Sequence, residues 1–120
     1  MAFLGPMRVE KAWGHELILV NNELYCAKLL ILKPNWQCSL HYHSQKDETF
    51  YLLKGQCTLE FGNSQRILHP GDQQRIAPAT KHRFSTTSGA TILEVSTHHS
   101  DSDVTRLEPS KPLTPPAECA

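Results

Sequence analysis

Three histidines and one glutamate in this 120-residue chain have the types and spacing of a metal-ligand set. His41 and His43 are two apart, and on an extended strand residues i and i+2 face the same side. Both imidazoles can therefore address one centre. Glu48 follows after four residues, a gap long enough for a turn that returns it beside the pair. His82 arrives much later, after the Pro70-Gly71 turn and the run QQRIAP. Neutral imidazoles with a carboxylate suit Mn, Fe, Co, Ni or Zn, so one divalent transition metal ion is the expected cofactor. Four protein ligands leave one or two coordination positions open to water or substrate. A bare His-x-His pair also arises from polar residues scattered on an open sheet face. The longer pattern is more specific: His41-x-His43, four residues, Glu48, six residues, Gly55, and later Gly71, ten residues, His82.

The elements that must position these side chains read as strands. Runs at 15–20, 23–33, 37–43, 48–54, 57–61, 64–69, 73–78, 82–87 and 90–97 are apolar or alternating. Asn21-Asn22, Pro34-Asn35, Gly55, Gly62-Asn63, Pro70-Gly71 and Ser88-Gly89 supply the turns between them. No segment sustains a helical apolar period over ten positions. Short strands at this spacing predict an all-β sandwich or barrel. From Glu108 onward EPSKPLTPPAECA carries four prolines in 13 residues. Residues 1–107 are expected to form one domain, and 108–120 an extended or disordered tail.

Composition narrows the partners. Twelve basic and twelve acidic residues balance, which argues against nucleic acid or an anionic membrane as partner. No apolar run approaches membrane-spanning length, and the opening MAFLGPMRVEKAW lacks a basic leader before an apolar stretch. A cytoplasmic location is expected. Cys26, Cys38, Cys57 and Cys119 form no Cys-x-x-Cys pair and are read as small buried hydrophobes.

The ligand pattern resembles the cupin superfamily. HYHSQKDETFYLLKG fits the first cupin motif from His41 to Gly55, with Asn35 standing where a glycine is usual. Asparagine also tolerates positive φ, so that turn is retained. GDQQRIAPATKHRFST fits the second motif in spacing, with Ala77, Ala79 and Thr86 replacing the usual proline, glycine and asparagine. Pro78 takes over the turn-setting role. The resemblance spans roughly residues 8–107 and implies a double-stranded β-helix, or jelly-roll, barrel that pairs as a C2 homodimer.

Three flanking stretches resemble the phosphomannose isomerase-like, sugar isomerase-like cupins: VEKAWGHE, LKPNWQCSLHYHSQKDE and ILEVSTHHSDSDVTRLE. In the last, Glu94, Asp103 and Arg106 match. The chain then departs into EPSKPLTPP. The resemblance implies a metal-dependent sugar or sugar-phosphate isomerase or epimerase. The alternatives are a non-enzymatic cupin binding a sugar or carboxylate, and an Fe(II) dioxygenase. Isomerisation needs two neighbouring oxygens polarised and a proton moved between carbons.

Lys28, Glu60, Glu94 and Tyr51 are the candidate groups within the barrel. Strand parity alone does not settle which face inward, because one bulge flips the register. Glu94, which interrupts ILEV, and Lys28 are taken as the catalytic candidates, although Lys28 and Glu60 singly fit a solvated outer face. Lys46, Arg106 and Tyr51 are the candidate substrate contacts. Arg106 suits a phosphate or carboxylate, or equally a surface pair with Asp103. Trp13 and Trp36 are expected to pack, and His98-His99 to lie on the surface.

Overall fold

Alternation of apolar and polar residues becomes strand through most of the chain. The computed structural model describes residues 6–113. In chain order the strands are β1 (Met7–Lys11), β2 (Gly14–Asn21), β3 (Cys26–Leu32), β4 (Trp36–Gln37), β5 (Leu40–His43), β6 (Glu48–Gly55) and β7 (Cys57–Phe61). They continue with β8 (Ser64–Leu68), β9 (Gln73–Ile76), β10 (His82–Thr86), β11 (Ala90–Ser96), β12 (Val104–Glu108) and β13 (Lys111–Pro112). A single 3-10 turn, Asp101–Asp103, precedes β12. No helix among the described residues is long and apolar enough to cross a membrane.

One sheet runs β1-β2-β3-β11-β6-β9. The other is centred on β10, which pairs with β7 on one side and with β4 and β5 on the other. β4 and β5 act as one interrupted strand: Ser85 pairs with Gln37 and His82 with His41, and between them the Cys38 N–H donates to the Phe84 carbonyl at 2.8 Å. β8 extends this sheet beyond β7, while β12 and β13 border β5 and β4. The two facing antiparallel sheets form the jelly-roll barrel expected from the sequence.

Two glycines show why the motifs carry them. A Cβ on Gly14, at φ +148°, would collide with the Ile31 carbonyl oxygen, and one on Gly55, at φ +85°, with that of Gly89. Both permit close strand approach.

The inward faces divide along the barrel. Cys26 and Lys28 precede Leu30 and Leu32 in β3, and Glu48 precedes Phe50 and Leu52 in β6; all are buried. In β10, His82 precedes Phe84 and Thr86, while antiparallel β11 runs Ala90, Ile92, Glu94, Ser96. One end is thus apolar, with Leu32, Leu52, Leu59, Leu68 and Ile92 at its centre. The other end is polar. Each fully buried leucine or isoleucine stabilises the fold by roughly 2 kcal/mol, which offsets the cost of desolvating charge at the polar end.

Cys26, Cys38 and Cys57 are buried free thiols, as expected, and burial pushes Cys38 and Cys57 up to about 12. Cys119 lies outside the described residues. Trp13 is buried in the core and Trp36 packs against it, with the Lys33 ammonium 4.9 Å from the Trp36 ring centre. The start of the expected tail is paired: β13 lies against β4, and the Leu113 N–H donates to the Asn35 carbonyl at 2.9 Å. The rest of that tail lies outside the described residues.

Candidate metal centre and cavity

β5 presents His41 and His43, and β10 begins with His82, directly across the ladder from His41. Glu48 begins β6 in the opposite sheet. The site therefore bridges the two sheets at the polar end of the barrel. Ring centres lie 5.1 Å apart for His41 and His43, 4.5 Å for His41 and His82, and 5.9 Å for His43 and His82. One ring nitrogen from each lies within 4.8 Å of the others. Glu48 Oε2 is 3.0 Å from His82 Nε2 and 3.7 Å from His43 Nε2.

Hydrogen bonding sets the tautomers. His41 Nδ1 donates to the Ser39 carbonyl and His82 Nδ1 to the Thr80 carbonyl, each at 2.9 Å. In a neutral ring the other nitrogen is then a bare acceptor. His82 Nε2 and Glu48 Oε2 are both buried without a hydrogen-bond partner, as is His43 Nδ1. A lone pair facing a carboxylate oxygen calls for a cation between them, either an additional proton or a metal ion. The donor set of imidazoles and one carboxylate fits a divalent transition metal.

Two residues outside glycine adopt positive φ, and one of them bears on a ligand. Asn35 has φ +63°, as its place in the motif predicts, and Ala79 has φ +65° where the motif usually has glycine. The Ala79 N–H donates to the His43 carbonyl at 2.6 Å, tying the loop before His82 to the ligand strand. Thr86 replaces the motif asparagine by bonding both ways: its hydroxyl donates to the Gln56 carbonyl and accepts from the Gly89 N–H.

Beside the centre is a cavity of about 190 Å³ whose lining includes Trp13, Glu16, Lys28, Glu94, His99 and Arg106. Lys46 is its electrostatic hub. The buried ammonium lies 2.6 Å from Glu94 Oε2, 3.4 Å from Glu48 Oε1 and 3.0 Å from His99 Nδ1. An ammonium has three N–H donors, and these three contacts account for all of them. Burial alone would lower Lys46, but Glu94 and Glu48 outweigh it and hold the ammonium above its ordinary value. Burial raises the Glu94 carboxyl against the opposing pull of Lys46. Burial also lowers His41 to about 4, with help from His82, and His43 to about 3. For Glu48, burial acts upward, but in the metal-free chain an additional proton on His82, together with Lys46, outweighs it and brings the carboxyl down to about 2.

The expected site residues thus divide. His41, His43 and His82 converge, Glu48 lies against His82 and His43, and Glu94 lines the adjoining cavity. Lys28 corrects the outer-face expectation: it is buried, with Glu16 Oε1 at 3.6 Å. Lys46 is inside, but its N–H groups are committed to protein partners rather than left for a substrate oxygen. Arg106 lines the cavity and is exposed, opposite His41 across the β5–β12 ladder.

Tyr51 does not join the site. Glu48, Phe50 and Leu52 face inward, so alternation turns Tyr51 outward, where it is 39% exposed. Glu60 pairs with Arg83 at 2.6 Å, outside the cavity. His99 departs from the expected surface pair. Its backbone exchanges hydrogen bonds with the Asn21 side chain, which sets its ring against Lys46, and its Nε2 donates to Asp101. Glu16 and His99 are among the cavity residues that sequence reasoning missed. Glu16 was within reach, since it closes the WG-x-E stretch.

A family model described as the Cupin domain matches residues 28–96. The chain belongs to this family. It is 32% identical to a D-lyxose/D-mannose isomerase of Thermosediminibacter oceani, over 71% of this chain and 62% of the relative. It is 30% identical to a D-lyxose ketol-isomerase of a Thermofilum species, over 71% and 63%. It thus spans less than two thirds of the length of these relatives. Oxalate decarboxylase from Bacillus subtilis has a TM-score of 0.77 at 18% identity, over 85% of this chain and 30% of that one. At that identity the likeness concerns the fold.

Proposed function

We propose that this cupin is a metal-dependent aldose–ketose isomerase acting on a small sugar of the lyxose or mannose kind, free or phosphorylated. One divalent ion of Mn, Fe, Co, Ni or Zn is held by His41, His43, Glu48 and His82. The observation that carries this reading is the pair of bare acceptors, His82 Nε2 and Glu48 Oε2, 3.0 Å apart beside a cavity bearing a second buried carboxylate, Glu94. The isomerase names of the two sequence relatives support the substrate class.

The ion, when bound, supplies Lewis-acid polarisation of neighbouring sugar oxygens. Glu94 takes a proton from the hydroxyl-bearing carbon and returns it to the adjacent carbonyl carbon. Burial raises its carboxyl, which suits a group that must both accept and release a proton. Lys46 holds Glu94 and Glu48 at a fixed separation. Lys28, supported by Glu16, is the second catalytic candidate, donating to a sugar oxygen as the hydroxyl proton changes place. Arg106 contacts the substrate at the rim, while Trp13, Phe50 and Phe84 exclude water. The functional unit is a homodimer. Exposed Tyr51, Leu53 and Val95 on the six-stranded sheet support that assembly.

The test is incubation of metal-reconstituted protein with D-lyxose, D-mannose or mannose 6-phosphate in D2O. Ketose formation is expected only with metal present, and deuterium enters the product to the extent that the proton on Glu94 exchanges with solvent before its return. Sugar binding without product or deuterium uptake would overturn the enzyme reading in favour of a binding cupin. Oxygen-dependent product with iron would favour a dioxygenase.

A further inference from the structure

The loop that joins two of the metal ligands is held by a carboxylate from a distant part of the chain. Ser44–Asp47 connects His43 to Glu48. Asp103 Oδ1 accepts the backbone N–H of Ser44 and of Gln45, both at 3.0 Å. Its Oδ2 accepts the Gln45 N–H at 3.2 Å and the Lys46 N–H at 3.1 Å. Three successive backbone N–H groups make a concave anion site, filled here by a side chain some 57 to 59 residues away in sequence.

Asp103 is itself fixed on both sides. Its N–H donates to the Ser100 carbonyl at 3.0 Å, closing the short 3-10 turn. The next residue, Val104, pairs with His43 across the β5–β12 ladder. The far end of the loop has a separate tie. The Asp47 N–H donates to Thr97 Oγ1 at 3.1 Å, and the Thr97 N–H returns a bond to the Asp47 carbonyl at 3.0 Å.

We infer that Asp103 is a positioning residue for the metal centre, setting the separation of His43 and Glu48, and the placement of Lys46, before any ion arrives. The inference rests on the metal reading of His41, His43, Glu48 and His82. A loop already closed loses less conformational freedom when its flanking side chains converge on an ion. Without Asp103, three N–H groups lose their acceptor and the chain between the ligands opens toward solvent.

The test compares full-length wild type with Asp103→Asn and Asp103→Ala. The asparagine variant keeps one acceptor oxygen but turns an amide group toward one of the N–H donors. Hydrogen exchange on the metal-free proteins is expected to accelerate at least about tenfold at Ser44, Gln45 and Lys46, while amides of β3 and β11 keep their protection. Co(II) affinity, read by competition with a chromophoric chelator, should fall about 10- to 100-fold, as when other groups supporting metal ligands are lost. The visible Co(II) spectrum should change with it. Unchanged affinity and spectrum in both variants would overturn the inference. So would exchange that accelerates equally throughout the barrel, since that marks a general loss of stability. Wild-type protein that binds no Co(II) would overturn the metal reading instead, and local exchange at 44–46 would then decide the role of Asp103.

Discussion

His82 Nε2 and Glu48 Oε2 face each other at 3.0 Å from opposite sheets, with neither atom hydrogen-bonded. Because Thr80 already takes the other imidazole proton, a cation is the natural occupant of the gap. Replacing Glu48 or His43 by alanine should therefore remove most of the bound metal, because an open site depends on every ligand. Metal analysis of the purified variants checks this. Stoichiometric metal in the His41→Ala/His43→Ala double variant would sink the site assignment.

Protons compete with the ion for the same lone pairs, and the fold has its own acid dependence. His41 and His43 lie at about 4 and 3 in the folded chain, below their ordinary 6.5. The unfolded chain then binds more protons, so their contribution is full above pH 6.5 and is lost as pH falls toward 3. Glu48, at about 2 against 4.5, adds loss of the same sign at lower pH. Glu94, raised by burial, acts oppositely: its contribution is present below 4.5 and lost as pH rises. Thermal melting of chelator-treated protein should fall from about pH 6.5 downward, and metal should raise the midpoint at pH 7.5. A melting temperature unchanged by chelator, in a sample shown to contain metal, would make the ion adventitious.

Glu94→Gln preserves shape while removing the proposed base. Turnover should fall by about 10²- to 10⁴-fold, with metal content retained. Turnover within threefold of wild type would move the proton transfer to another group.

Ala79 occupies a left-handed conformation that suits glycine. Ala79→Gly should stabilise the chain by about 1 kcal/mol, raising the melting midpoint by about 4 °C. A lower midpoint would show that the alanine methyl contributes packing greater than its backbone strain.

Light scattering should report a dimer at tens of micromolar, an order of magnitude chosen for a stable pair. Monomer alone at that concentration would count against the proposed assembly.

Much of the barrel was legible because its strands alternate and its turns carry their usual residues. Nine expected runs coincide closely with β2 to β11, β4 and β5 arising from one run. β1 and β12 escape the sequence pattern; their five residues are mainly half-buried or exposed, so they lack the apolar face that marks an inner strand. Parity alone places Tyr51 outside: once Glu48 faces inward, residue 51 of the same strand faces outward. Lys28 misled because the rule that charge faces water fails where a cavity supplies a paired carboxylate. His99 and Asp103 lie beyond β11, where no periodicity applies, and contacts with Asn21 and residues 44–46 set their positions.

The division of the interior carries an evolutionary consequence. Swapping the partly buried Lys28–Glu16 pair or the buried Lys46–Glu94 pair for well-matched hydrocarbon side chains would extend the apolar core toward the mouth, a change that often leaves a protein as stable or more so. Selection for robustness alone would tend to erase this end of the barrel. A laboratory lineage evolved only for heat tolerance should therefore accumulate substitutions at these pairs first, and drift toward an inert, closed barrel.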